Sequence, residues 1–234
     1  MRVRVGTSGY SYKEWKGNFY PSDLPASKML SFYANHFGSV EINNTFYRMP
    51  DAKTLQKWTT EVPDDFSFVL KAPQRITHQK KLVGIEDDMH LFFDAAATMG
   101  ENLGPILFQL PPYFRKDVDK LRGLLERAPK SARIALETRH ESWLSDDVYD
   151  VLREHDAAFC AADTDEIEDP DRIFTPTASW GYLRLRRTEY SDEQLSAWSK
   201  RVDSTQWNSA YVFFKHEDEG KGPEFAKRFL ALRG

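Results

Sequence analysis

Eight short runs rich in apolar residues punctuate the chain, at residues 3–6, 40–46, 66–71, 105–109, 133–137, 157–162, 181–186 and 210–215, each giving way to Gly, Pro, Asn or a charged cluster. Between most of them apolar residues recur at i, i+3, i+4 and i+7, the period of a helix that buries one face. Met29, Leu30, Tyr33, Ala34 and Phe37 form one such stripe, and Leu91, Phe92, Ala95, Ala96 and Met99 another. Leu121, Leu124 and Leu125, then Val148, Val151 and Leu152, then Leu195, Trp198 and Val202 continue the pattern. Alternation of strand and helix predicts a parallel sheet, because parallel neighbours need a crossover long enough to hold a helix. Eight such units in 234 residues predict an α/β fold, a compact (β/α)8 TIM barrel, with residues 1–234 as a single domain. The weakest unit follows the sixth strand. Residues 163–179 are acidic and carry Pro170 and Pro176, so an irregular loop with a short turn, or a missing helix, is expected there.

In a barrel, residues two apart on a strand share a face, and one parity points inward. In the second run the polar set Glu41, Asn43 and Thr45 alternates with Val40, Ile42 and Asn44 and is expected inside. Ser67, Val69 and Lys71 share a face of the third run, Gln109 ends the fourth, and Glu137 and Arg139 share a face of the fifth. Asp163 follows Phe159 and Ala161 in the sixth and is expected to face inward with them. Tyr182, Arg184 and Arg186 alternate with Leu183 and Leu185, and Tyr211, Phe213 and Lys215 do the same in the last run. Polar residues thus converge on the C-terminal mouth, where active sites of this fold lie.

Charge sharpens the expectation. The chain carries 36 acidic and 32 basic residues, a net charge of −4, so it lacks the global basic field that favours nucleic acid or an anionic membrane. The expected mouth inverts that balance, with Lys71, Arg139, Arg184, Arg186 and Lys215 against Glu41, Glu137 and Asp163. An excess of bases in one pocket points to a small anionic ligand, sugar-like or phosphate-like, held by the fork of Arg and the point charge of Lys. The plainer alternative is that these charges pair with one another to fill the barrel, because an isolated buried charge is very costly.

On the enzymatic reading, general acid/base chemistry is expected, as a lyase, isomerase or hydrolase. Glu137 is the expected general base, Lys71 and Arg139 are clamps on the developing charge, and His78 or His140 is the proton donor. Glu41, Asn43, Thr45 and Gln109 position the substrate, with Asp163, Arg184, Tyr10 and Trp143 as further contacts, the aromatic rings by stacking. No cofactor is evident. Gly6-Thr7-Ser8-Gly9 lacks the spacing of the nucleotide-binding glycine motifs. A divalent metal on Glu41, Glu137, Asp163 and a histidine stays open, without a His-x-His or His-Glu-x-x-His pattern to strengthen it. The single cysteine, Cys160, admits no intramolecular disulfide and reads as a small buried residue. No apolar run approaches the length of a membrane span, so a cytoplasmic protein without a membrane partner is expected. Two further readings remain beside the enzyme: a barrel that binds or processes nucleic acid, disfavoured by the net charge, and a non-catalytic ligand-binding protein.

The motifs that build this mouth also carry a resemblance. Gly6-Thr7-Ser8-Gly9-Tyr10-Ser11-Tyr12-Lys13-Glu14-Trp15, Phe19-Tyr20-Pro21, Val40-Glu41-Ile42-Asn43-Asn44-Thr45-Phe46-Tyr47 and Trp58 are similar to the DUF72 family, the YecE-like proteins. So are Phe68-Val69-Leu70-Lys71-Ala72-Pro73, Ile76-Thr77-His78, the stretch from Leu103 to Pro112, and Glu137-Thr138-Arg139-His140-Glu141-Ser142-Trp143. The resemblance runs in order over essentially the whole chain. It implies a TIM barrel and brings no reaction with it. The family's recurrent polar positions fall on Glu41, Asn43, Thr45, Lys71, His78, Gln109, Glu137, Arg139, His140 and Trp143. The chain departs from the family near its end, with Arg184-Leu185-Arg186-Arg187 in place of an Arg-x-His-Gly-like segment, and Lys215-His216-Glu217-Asp218 in place of an Asn-Asn-Asp-like one. An imidazole and an amide exchanged for Arg186 and Lys215 imply a more anionic ligand than the family's usual one, or the loss of that ligand.

Overall fold

Each of the eight apolar runs contains a strand in the structure, a computed structural model that describes residues 1–215 and 220–233. The strands are β1 (Arg2–Thr7), β2 (Ser39–Ile42), β3 (Ser67–Lys71), β4 (Leu103–Gln109), β5 (Ile134–Glu137), β6 (Ala158–Asp163), β7 (Trp180–Leu185) and β8 (Ser209–Phe214). All pair in parallel, in the order β1-β8-β7-β6-β5-β4-β3-β2, so the two ends of the sheet are the first two strands of the chain. Helices α1 (Met29–Ala34), α2 (Asn44–Tyr47), α3 (Ala52–Thr59), α4 (Glu86–Ala97), α5 (Val118–Arg127), α6 (Asp146–Glu154), α7 (Asp192–Asp203) and α8 (Lys221–Ala231) fill the connections. The apolar stripes read from the sequence are their buried faces, except that in α4 Leu91 is exposed and Met89 and Phe93 are buried with Phe92, Ala95 and Ala96. Sequence also sets several starts: Asp51 and Asp117 accept the N–H groups of Thr54 and Lys120, and Ser191 with Gln194 forms a reciprocal cap on α7.

The barrel closes between β1 and β2 without a regular ladder. The Ser8–Glu41 bridge and the Gly9 N–H donating to the Glu41 carbonyl at 2.7 Å join their upper ends. Below, the Tyr33 hydroxyl on α1 donates to the Ser39 carbonyl at 3.0 Å and accepts the Thr7 N–H at 2.7 Å. Gly6 is required at this seam, because a Cβ there would lie 1.9 Å from the Ser39 carbonyl oxygen.

Two apolar clusters result. The larger lies between strands and helices, and the smaller, with Val69, Leu107, Ala135, Ala158, Cys160, Trp180, Tyr182, Tyr211 and Phe213, fills the barrel interior. This division identifies the inward parity of β3 to β8. Between β6 and β7 there is no full helix, only the 3-10 turn Pro170–Ile173, as the prolines and acidic residues lead one to expect. One boundary differs from the sequence expectation: β2 ends at Ile42, and residues 44–47 form a helical turn instead of continuing the strand. Among the described residues no helix is long and apolar enough to cross a membrane.

Candidate functional site

The last inward residues of β2, β3, β4, β5 and β7 meet above the apolar plug of the barrel. Arg184, 3% exposed, reaches between two glutamates with no exposure at all. One terminal nitrogen donates to Glu41 Oε1 at 2.8 Å and the other to Glu137 Oε2. The Tyr182 hydroxyl donates to the second oxygen of Glu41 at 2.6 Å, and the Gln109 amide to Glu137 Oε1 at 2.6 Å. Arg186 and Arg139 approach the same Glu137 oxygen at 3.3 and 3.5 Å. Burial alone pushes the Glu137 carboxyl up, but Arg184, Arg186 and Arg139 outweigh it and hold the group down at about 2. Glu137 is therefore ionised and its lone pairs are engaged. It serves as the anion that gathers guanidinium groups, which is a poor arrangement for the general base expected from the sequence.

Directly above lies a cavity of about 190 Å3. Its wall holds five cationic side chains, Lys71, Arg139, Arg184, Arg186 and Lys215, while its described lining includes no carboxylate. Tyr12, Asn43, Asn44, Tyr47 and Gln109 complete it. The Lys71 ammonium sits 3.9 Å from the centre of the Phe46 ring and has no hydrogen bond or ion pair among the described residues. Burial first, and then Arg184, lower its pKa to about 8, against a weaker upward pull from the two glutamates. His78 lies on a π-helical turn, Arg75–Gln79, after β3. Its ring packs edge-to-face with Phe46, centroids 4.9 Å apart, and its Nδ1 is 2.9 Å from the Thr77 hydroxyl. Burial, Lys71 and Arg139 all lower its pKa, so the imidazole is neutral near pH 7.

A larger cavity of about 910 Å3 adjoins on the β5 and β6 side and shares Glu137, Arg139 and Arg186 with the network just described. His140 lines this space and not the smaller one. Its Nδ1 accepts the Ser142 N–H at 3.1 Å and so starts the turn Glu141–Trp143.

The structure brings together Glu41, Asn43, Lys71, Gln109, Glu137, Arg139 and Arg184, as strand parity leads one to expect. Thr45 stands just beneath them on α2, where its hydroxyl donates to the Lys71 carbonyl at 2.6 Å and steadies the end of β3. Three expected contacts lie elsewhere. Asp163 faces the helices: both its oxygens accept from Arg187 Nε at 2.9 Å, and one also accepts from Tyr190 and Trp198. Its parity with Phe159 and Ala161 is as read, but that face of β6 is the outer one, since Ala158 and Cys160 fill the interior. Both faces of β6 are apolar, which is why polarity along the strand does not reveal the inner one. Trp143 is fully buried and donates its indole N–H to the Phe114 carbonyl at 2.7 Å. A large apolar ring with one donor is most stable where both needs are met inside the core. Tyr10 packs on the outer core, 6.2 Å from Tyr33, and Tyr12 takes the place at the cavity expected of it. The metal set of Glu41, Glu137, Asp163 and a histidine is not assembled, because Asp163 points away and Arg184 stands between the glutamates. Among the described residues no cluster of three or more His, Cys, Asp and Glu is placed to hold a metal ion.

Sequence reasoning put Tyr182 on the inward face of β7 without giving it a role, and set Asn44 on the opposite parity from the polar residues of the second run. Tyr182 shares the parity of Arg184 and was legible on that ground, whereas Asn44, Tyr47 and Phe46 reach the mouth only because the chain turns into α2. Of the chain's departures from the family pattern, Arg186 and Lys215 both line the cavity, while residues 216–218 lie outside the described residues.

Comparison with known proteins agrees with this architecture. The family model described as "Protein of unknown function DUF72" matches residues 4–234. The chain is 30% identical over 157 residues to the UPF0759 protein YunF of Bacillus subtilis, covering 63% of this chain and 54% of that protein. It is 30% identical over 144 residues to YecE of Escherichia coli, covering 61% and 50%. The chain thus spans about half the length of these curated relatives. A solved DUF72 family protein from Thermotoga maritima superposes with a TM-score of 0.87 at 29% identity, over 100% of this chain and 99% of that one. One from Enterococcus faecalis superposes at 0.82 with 20% identity, over 98% and 94%, a likeness of fold.

Proposed function

The chain belongs to the DUF72 family, a membership that carries no reaction with it, and from the chemistry of its barrel mouth we propose an enzyme acting on a small anionic, sugar- or phosphate-like substrate by acid/base chemistry. The observation that carries this reading is the wall of the smaller cavity, with five cationic side chains and no carboxylate among its described lining. Glu41 and Glu137 lie beneath it, with their oxygens already committed to Tyr182, Gln109 and arginines. They fix the direction of the guanidinium groups without neutralising the space above. An anion entering there would replace solvent as the partner of Lys71, Arg139 and Arg186, in geometry set before it arrives.

Proton transfer falls to Lys71, with His78 packed against the same Phe46 ring. Lys71 titrates at about 8, close to the pH at which a side chain can both give and take a proton. His78, neutral at pH 7, has one ring nitrogen near the Thr77 hydroxyl and can relay a proton through the other. This assignment takes the base role from Glu137 and keeps Lys71 and His78 among the reacting groups.

The reading is tested by thermal unfolding in the presence of inorganic phosphate, citrate or chloride at equal ionic strength. Phosphate or citrate should stabilise the protein beyond chloride, by about 2.7 kcal/mol at a hundredfold excess over Kd. Arg186→Gln should reduce that gain while leaving the unliganded midpoint close to the parent's. Equal midpoints in all three salts, or a gain that Arg186→Gln leaves untouched, would remove the support for an anion site.

A further inference from the structure

Lys71 is placed unlike a lysine that serves stability. Its side chain is buried at the end of β3, yet its nitrogen meets an aromatic face and the space of the cavity, with no carboxylate partner among the described residues. The two nearby carboxylates do not pair with it, because Glu41 is held by Arg184 and Tyr182 and Glu137 by Gln109 and three arginines. A buried amine crowded by guanidinium groups and an aromatic ring is readily deprotonated, which is the condition under which lysine acts as a nucleophile. The same cavity wall holds Arg139 and Arg186, and the Nε–H of buried Arg184 and that of Arg186 lack acceptors among the described residues.

We propose that Lys71 forms an imine with the carbonyl group of a small 2-oxo carboxylate, whose carboxylate is held by Arg186 and Arg139. This inference rests on the anion-site reading given above and names its substrate class. The free amine of Lys71 donates its lone pair to the carbonyl carbon, and the C=O π pair moves onto oxygen. A proton passes from nitrogen to that oxygen, giving a carbinolamine. The C–O bond then breaks, the hydroxyl leaves as water with a second proton from the nitrogen, and a C=N bond remains. Carbonyl compound and amine thus give imine and one water, with no change of oxidation state. His78 packs on the same Phe46 ring that the Lys71 nitrogen faces, and in this scheme it carries the proton between nitrogen and the departing oxygen. A cavity of about 190 Å3 holds a molecule of this size, since water occupies about 30 Å3 in the liquid.

The test uses the full chain with pyruvate as the probe and sodium cyanoborohydride as the hydride donor. Reduction of an imine leaves the protein heavier by pyruvate less one oxygen atom, and peptide mapping should place that adduct on Lys71. Lys71→Arg and Lys71→Met, each checked for native circular dichroism, should lower labelling to the level of an unfolded control; having two variants guards against one that fails to fold. In parallel, thermal unfolding with pyruvate and no reductant reports anion binding alone. Stabilisation by pyruvate without an adduct on Lys71 would overturn the imine and leave the anion site standing. Neither stabilisation nor adduct would overturn both. Labelling spread over surface lysines and unchanged in both variants would also overturn the imine.

Discussion

Glu137 and Lys71 show how one positive field lowers two pKa values with opposite consequences, holding the carboxyl charged and easing the amine toward its neutral form. Both are buried, and burial disfavours the charged form of each. Glu137 is surrounded by guanidinium groups and ends at about 2, whereas Lys71 shares that positive field and ends at about 8. Glu137 titrates below its unfolded value, so its contribution to stability is present above about pH 4.5 and is lost as the pH falls toward 2. The lowering corresponds to an amount on the order of 3 kcal/mol. Glu137→Gln should cost about 3 to 5 kcal/mol at pH 7, because Arg184 is left with one buried carboxylate, and should flatten the loss between pH 5 and 2. Urea unfolding of both proteins at pH 7, 4 and 2.5 measures this. A variant as stable as its parent at pH 7 would show that the carboxylate holds nothing together.

At the scale of the element, the β6 to β7 connection does without a helix, and Asp163 supplies what the helix would have given. Its two oxygens gather Arg187 from just beyond β7, Tyr190 from the next loop and Trp198 from α7. Strand, loop and helix are thereby tied through one carboxylate with no exposure. Asp163→Asn should destabilise the protein by about 3 kcal/mol, since Arg187 loses its charged partner, and should leave phosphate affinity unchanged, since the residue is outside the cavity. Paired chemical unfolding and calorimetric titration separate the two effects, and a loss of affinity at preserved stability would instead return Asp163 to the site. The residue was legible as important for its position at the end of the sixth strand, but not as facing outward. Alternation names two sets of side chains and not which set is inside, and in β6 both sets are apolar. In the second strand the difference is another: residues 43–46 keep a strand-like alternation, yet the chain turns into α2, where the Thr45 hydroxyl donates to the Lys71 and Ile42 carbonyls.

At the scale of the whole molecule, the barrel closes where β1 meets β2 with few backbone bonds and an exact fit of backbones at Gly6. Closure carries Glu41, on β2, round to within reach of Tyr182 and Arg184 on β7, 141 and 143 residues away along the chain. Gly6→Ala should therefore act on the site as well as the fold, costing about 3 kcal/mol or more by forcing β1 and β2 apart. It should also weaken the stabilisation by phosphate, which thermal unfolding with and without the anion would register. A variant with parental stability would mean that the seam yields readily and that closure does not hold Glu41 in place.

Sequence alone determined the count and order of strands, the parallel sheet and the short turn after β6, because each follows from local periodicity and from residues that cannot continue an element. It also determined that Lys71, Gln109, Glu137 and Arg184 would end at one mouth, since strand direction and parity are local properties that a barrel merely collects. Tertiary structure alone decided which charges neutralise one another. Arg184 could have met either glutamate or a ligand; it meets both glutamates, and that choice leaves Lys71, Arg139 and Arg186 around a space without an acid in its described wall. Pairing energies depend on distances across the barrel, between residues far apart in the chain, and no pattern along the chain carries those distances.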